Sequence, residues 1–283
     1  MLPLHLISFN TTEMLFVRDK GRMCNNILQY GHVYAWGREH GRKTMSMRFA
    51  YKYPYFHICD TAWHNFLTYV FAKYGAKTGL LPVISFNEDD VDIAAGESQM
   101  VAKRYAVVEG WYARWYDLFL KYKDEILSLF AFHQDIENHA QQVIASTKGM
   151  VRLGMHIRRG DYQRWYGGRF FYSDEQYVSV IREFCSLFPG QQIAVYICGN
   201  DPQLNRDYYQ QQLPACQLFF PDGNPGEDLC VLSHCDYLIG APSTFSLVAS
   251  MYHDAPLYWI EDITKSFTLQ DFGHFDNLFR HIY

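Results

Sequence analysis

The sequence predicts an α/β protein of two Rossmann-like halves, each a parallel sheet flanked by helices, with an inter-domain cleft. Three observations predict it. Short β-branched strand candidates alternate with amphipathic helices through the second half, the pattern of helix-covered parallel sheets. The texture changes near Lys148-Gly149, which sets the expected halves at 1–148 and 149–283. The 283 residues, 49% hydrophobic and 17% aromatic, hold one large domain or two compact ones with ample apolar material for a core.

Taken in order, Asn25 to His40 reads as a helix stopped by Gly41, and Asp124 to Phe130 as another. Ile136 to Ile144 follows, with Ile136, Ala140, Val143 and Ile144 on one stripe. Leu153 to Arg158 and Ile193 to Cys198 read as strands. Between them Ser173 starts a helix, Gln176 three residues on completes a capping box, and Tyr177, Val180, Ile181, Phe184 and Phe188 share its apolar face. A further helix begins near Glu227 and Asp228, the strand Tyr237-Leu238-Ile239 follows, and a last helix runs from Ser243 through Met251. Ligands of such sheets sit beyond the carboxyl ends of the strands, where the loops after Arg158, Gly199 and Gly240 are expected to converge.

A formal net charge of -5 excludes a general basic surface for nucleic acid, so an anion site has to be a local cluster. The seven cysteines are scattered without a Cys-x-x-Cys pair and read as small buried hydrophobes of a reducing compartment. Met1 to Asn10 lacks the features of a signal peptide, and no apolar run reaches the roughly 20 residues of a membrane span. A cytoplasmic location is expected, with peripheral membrane contact left open.

Two segments carry chemistry. Gly154-Met155-His156-Ile157-Arg158-Arg159-Gly160-Asp161-Tyr162 is an apolar strand ending in two arginines, which must either pair or face a ligand. A diphosphate suits planar bidentate donors, and a salt bridge to Asp161 closing the turn is the structural alternative; one arginine can do each. Gly240-Ala241-Pro242-Ser243-Thr244-Phe245-Ser246 lies between a strand and a helix, so its hydroxyls and first N–H groups form either an anion site or simply a well-made cap.

With those segments in view, the chain resembles the bacterial α-1,2-fucosyltransferases. Gly21-Arg22-Met23-Cys24-Asn25-Asn26-Ile27-Leu28-Gln29-Tyr30 is similar to that family's glycine-rich start, and Gly110-Trp111-Tyr112 with Tyr116 and Phe119 to its central aromatic block. His156 to Tyr162 matches almost completely, and Glu227-Asp228-Leu229 through Ser243-Thr244-Phe245-Ser246 matches the last two elements. The resemblance implies a GT-B fold and GDP-fucose as donor substrate, with no cofactor. It further implies a glycan acceptor, probed first as a galactoside, inversion at the anomeric carbon, and no metal. It places His156, Arg158 and Arg159 at the nucleotide diphosphate, with Arg158 on the β-phosphate and Asp161 beside it in the catalytic group. It sets Asp228 on the guanine edge, Ser243, Thr244, Phe245 and Ser246 at the phosphates, and Asn25 across the cleft. Departures are Cys24 and Asn26 in the first motif, Leu247-Val248 where the family has two tryptophans, and Ala113-Arg114-Trp115 where it has Gln-Ser-Glu.

Other readings compete. The general base has three weak candidates, Asp161, His32 and Glu109. Asp90-x-Asp92 after the apolar run Leu80 to Phe86 is the pattern that holds a metal on a diphosphate, and also that of a solvated acidic loop. His133 and His139 are not one turn apart, and no His-Glu-x-x-His occurs. Tyr51 to Phe56, Trp63, Phe66, Tyr69 and Phe71 form either core or a sugar-stacking surface. A binding module without turnover and a transferase for another GDP-sugar are the alternative functions.

Overall fold

A computed structural model describes residues 13–199, 201–202 and 204–282, so the reading of Met1 to Asn10 lies outside the described residues. The chain divides into two units, Met1–His133 and Gln134–Tyr283.

The first unit alternates β1 (Met14–Arg18), α1 (Met23–Glu39), β2 (Lys43–Ser46), α2 (Phe66–Thr78), β3 (Val83–Ser85), α3 (Ile93–Ala102) and β4 (Tyr105–Glu109) before the short helices α4 (Tyr116–Lys121) and α5 (Lys123–Leu129). Its sheet has the order β2-β1-β4-β3, every pairing parallel. Helix α1 is buried on nearly all sides, from Ile27 and Leu28 to Trp36 and even Asn26, Gln29 and His32, which marks it as a core helix rather than a surface one. The aromatic stretch divides: Phe56 is core, whereas Trp63, Phe66 and Phe71 are exposed.

In the second unit α6 (Gln134–Ile144) precedes β5 (Val151–Ile157), α7 (Asp174–Ser186), β6 (Ile193–Gly199), α8 (Arg206–Gln212), β7 (Gln217–Phe219), α9 (Pro225–Ser233), β8 (Tyr237–Gly240), α10 (Thr244–His253), β9 (Leu257–Trp259) and α11 (Phe275–Leu278). The sheet order is β7-β6-β5-β8-β9, again wholly parallel. Successive strands are added outward from β5 on one side and then on the other, so the order reverses between β5 and β8. That reversal makes the doubly wound switch point. The expected boundary at Lys148 is corrected: the division falls before α6, because Ile136, Ala140 and Ile144 are buried and the helix packs on α9.

Local chemistry accounts for the helix starts. Ser173 accepts the Gln176 N–H while the Gln176 side chain takes the Ser173 N–H, the full capping box. Helix α9 begins two residues before the expected Glu227, because Asn224 caps it, Glu227 closes its box and Pro225 fills the first turn. Behind α7, Tyr177, Val180, Ile181, Phe184 and Phe188 are buried in one cluster with the β5 and β6 side chains. Cys24, Cys198, Cys230 and Cys235 are buried and Cys59, Cys185 and Cys216 half-buried, as small hydrophobes should be. Among the described residues no helix is long and apolar enough to cross a membrane.

Removing the Ser173 hydroxyl should cost about 1 kcal/mol of unfolding free energy, measured for Ser173→Ala by urea denaturation, with an unchanged m-value showing that the fold is retained.

Candidate functional site at the β5–β8 switch point

Parallel register brings three strand ends together. His156 is the partner of Gly240 on β8 and of Cys198 on β6, and Ile157 is the partner of Gly199. The two glycines permit this spacing: a Cβ on Gly240 would lie 2.7 Å from the His156 carbonyl oxygen, and one on Gly199 2.5 Å from that of Ile157. Beyond the strands, the Tyr162 hydroxyl donates to the Pro242 carbonyl, tying the turn after β5 to the loop before α10.

The two adjacent arginines have different surroundings. Arg158 Nη2 donates to Asp161 at 2.9 Å, its guanidinium lies 5.2 Å from the Tyr162 ring centre, and its Nε is buried without a partner. Asp161 is half exposed, at 52%, which leaves this pair open on one side. Arg159 is buried and spans the fold. Nη2 meets Asp174 at 2.5 Å, Nη1 meets Asp201 at 2.9 Å, and Nε donates to the Tyr172 carbonyl at 3.1 Å. The expectation that Arg159 grips phosphate is therefore corrected: its donors hold the turn, α7 and the loop after β6 together.

His156 is buried and stacked on Phe245, ring centres 4.9 Å apart at 25°. Burial, and then the charge of Arg158, push its imidazole down to about 3, so the ring is neutral. Its Nδ1 has no partner. At the start of α10 the hydroxyls are partly spent. Ser243 caps the helix by accepting the Phe245 N–H, and Ser246, wholly buried, donates to the Ser243 carbonyl and accepts from Trp259 Nε1. Thr244 and Phe245 are half-buried and remain the accessible face of this helix start. The assignment of Ser246 to phosphate is corrected on this ground, since its side chain faces the interior.

Asp228 stands in the first turn of α9 with Oδ1 buried and unpartnered; burial, then Glu227, push its carboxyl up to about 7. It lies close enough to Cys198 for its charge, after burial, to raise that thiol, which places it beside the end of β6. Asn25 belongs to the first unit, half-buried in the first turn of α1.

The remaining readings resolve individually. His32 is core, accepting the Trp115 N–H at 3.0 Å within an aromatic cage of Tyr116 and Phe119. Glu109 pairs with Arg18 at 2.6 Å. Asp92 caps α3 by accepting the Ala95 N–H, so half of the Asp90-x-Asp92 pattern does structural work. Two groups were missed. Asp19, buried just past β1 and bonded to Ser46, is pushed up to about 8 mainly by that burial. Arg114 holds its guanidinium 3.8 Å from the Trp111 ring centre with both terminal nitrogens buried and unpartnered; burial lowers it to about 10. A carboxylate ending an apolar strand and the Ala113-Arg114-Trp115 departure were the available signals.

The sequence matches no protein-family model and no curated protein. Solved structures do match. A mutant of Arabidopsis thaliana FUT1 in complex with GDP has a TM-score of 0.60 at 13% identity, covering 93% of this chain and 74% of that one. POFUT1 in complex with GDP-fucose also has a TM-score of 0.60, at 14% identity over 85% of this chain and 94% of that one. The fold is the one these solved structures share. The Bradyrhizobium α-1,6-fucosyltransferase NodZ, soaked with GDP-fucose, has a TM-score of 0.55 at 13% identity, covering 93% and 97%. At these identities the likeness concerns architecture: two parallel sheets flanked by helices.

Two measurements check this site. Arg159→Ala strands the carboxylates of Asp174 and Asp201 and should lower stability by about 3–5 kcal/mol, against about 1 kcal/mol or less for Arg158→Ala, whose partner is exposed; paired chemical denaturation curves decide. The His156 ring, lowered to about 3 from 6.5, binds fewer protons folded than unfolded between those values, so stability should fall as pH drops through that window. His156→Gln should make the fall shallower in denaturation curves taken across it.

Proposed function

We propose that the protein is a glycosyltransferase that moves fucose from GDP-fucose to a sugar hydroxyl, with inversion and without a metal ion. The observation that carries this reading is the convergence of Arg158, the His156–Phe245 stack and the start of α10 at one switch point, in a fold whose solved neighbours were crystallised with GDP or GDP-fucose. The α-1,2 linkage, the galactoside acceptor and membership of the bacterial α-1,2 family rest on the ordered motifs, and a cytoplasmic location on the scattered cysteines.

In the transfer, the bond from C1 of fucose to the β-phosphate oxygen breaks and its electron pair leaves with GDP. The acceptor oxygen bonds C1 from the opposite face and releases its proton to solvent water. Negative charge therefore grows on the β-phosphate. Arg158, oriented by Asp161, donates there, and the positive end of α10 at Thr244 and Phe245 faces the same charge. His156, neutral and flat against Phe245, offers an imidazole nitrogen to the diphosphate without adding charge beside Arg158. Asp228 Oδ1 is the acceptor for the guanine N–H edge. Asp161 positions Arg158.

Arg158→Ala should fold normally yet lower GDP release from GDP-fucose plus galactoside acceptor by about 100- to 1000-fold. Wild-type turnover should not rise with added magnesium or manganese. Near-normal turnover in the variant overturns the role of Arg158, and thermal stabilisation by GDP with no turnover under any acceptor overturns the enzyme reading in favour of a binding module.

A further inference from the structure

We propose that Glu137, Cys230 and His234 form a binding site for one zinc-type divalent ion that pins α6 to α9, and this does not rest on the transferase reading. Cys230 and His234 are four residues apart at the C-terminal end of α9, so they leave the helix on one face. Glu137 comes to them from α6. His234 Nε2 lies 2.7 Å from Glu137 Oε1, Cys230 Sγ lies 3.2 Å from Glu137 Oε2, and the three ligand atoms are all within 4.8 Å of one another.

Sulfur, imidazole nitrogen and carboxylate oxygen are the donor set of zinc, and the thiol excludes magnesium and calcium, which take oxygen ligands. Bonds of about 2.0–2.3 Å to one ion set tetrahedral ligands roughly 3.3–3.8 Å apart. The sulfur–carboxylate separation of 3.2 Å is close to that, the imidazole–carboxylate separation of 2.7 Å has to open, and no pair of ligand atoms exceeds 4.8 Å. Access is one-sided. Cys230 is wholly buried, while the Glu137 and His234 side chains are 32% and 15% exposed, so the ion enters past the carboxylate and water takes the fourth position. On binding, the Cys230 S–H bond breaks, the sulfur pair goes to the ion and the proton goes to solvent. Glu137 exchanges two hydrogen bonds for ligation.

Cobalt titration of the full chain tests this, because Co2+ reports thiolate ligation by a near-ultraviolet charge-transfer band and four-coordination by visible d–d bands. One equivalent should raise both, and zinc should abolish them. Cys230→Ser should remove the charge-transfer band, and Glu137→Gln and His234→Gln should weaken cobalt binding by about tenfold or more. Cys185→Ser should change nothing; Cys185 and Cys216, with sulfurs 3.2 Å apart, are the other place a thiophilic ion could settle. No charge-transfer band in the wild type overturns the proposal, as does a band that survives Cys230→Ser and disappears with Cys185→Ser. Should Cys230→Ser fail to fold, unchanged cobalt affinity in Glu137→Gln overturns it equally.

Discussion

The register of β5 against β8 is the constraint on which the candidate site depends. Because His156 pairs with Gly240, the residue after each strand emerges beside its neighbour, and the two loops part at the reversal of strand order. The Tyr162 hydroxyl bond to Pro242 and the stack of Phe245 on His156 then fix the loops against each other. A slip of one residue would turn every β5 side chain to the opposite face. His156 would leave Phe245, and Tyr162 would lose the Pro242 carbonyl. The small glycines at the strand ends protect this register by letting the chains approach where a side chain would force them apart.

The adjacent arginines show how the same residue type divides between fold and site. Consecutive residues at a strand end point to opposite sides. One side of this turn faces α7 and the loop after β6, and there Arg159 meets two carboxylates and a carbonyl; a buried cation requires such company. The other side carries Arg158, which has one exposed partner and an unmatched Nε. In a chain with net charge -5, Arg158 is a local cation set against an acidic background. Burial, and after it the Arg158 charge, keep His156 neutral, so no second cation stands beside the guanidinium.

What was legible in the sequence was whatever local chemistry decides. The capping box at Ser173 and Gln176, the apolar face of α7, and the strand that carries the basic motif all follow from spacing within a few residues. Contacts between distant segments were not legible. Nothing near Arg159 announces Asp174 or Asp201, because those carboxylates are brought in by folding. Helix α6 was read correctly as a helix but assigned to the wrong half, since its apolar stripe does not say which neighbour it will meet. Ser246 carried the right residue type for phosphate, yet helical geometry turned its hydroxyl back onto Ser243 and Trp259. Glu137 and the Cys230–His234 pair lie too far apart in sequence for any ligand motif to join them.

The polar atoms left without partners give independent weight to the location. Among the described residues of the second unit, buried side-chain atoms lacking a hydrogen bond include His156 Nδ1, Arg158 Nε and Asp228 Oδ1. Each such group costs about 1–3 kcal/mol when desolvated and unmatched, and chance would scatter them through the unit. They gather instead at the carboxyl ends of β5 and β6. His156 and Arg158 are on the motif, and Asp228 is near enough to Cys198 to add to the effect of burial in raising its thiol. The set contains donors and acceptors together. The same unit satisfies Ser233, Ser250 and Thr147 in its interior, so the shortfall is local.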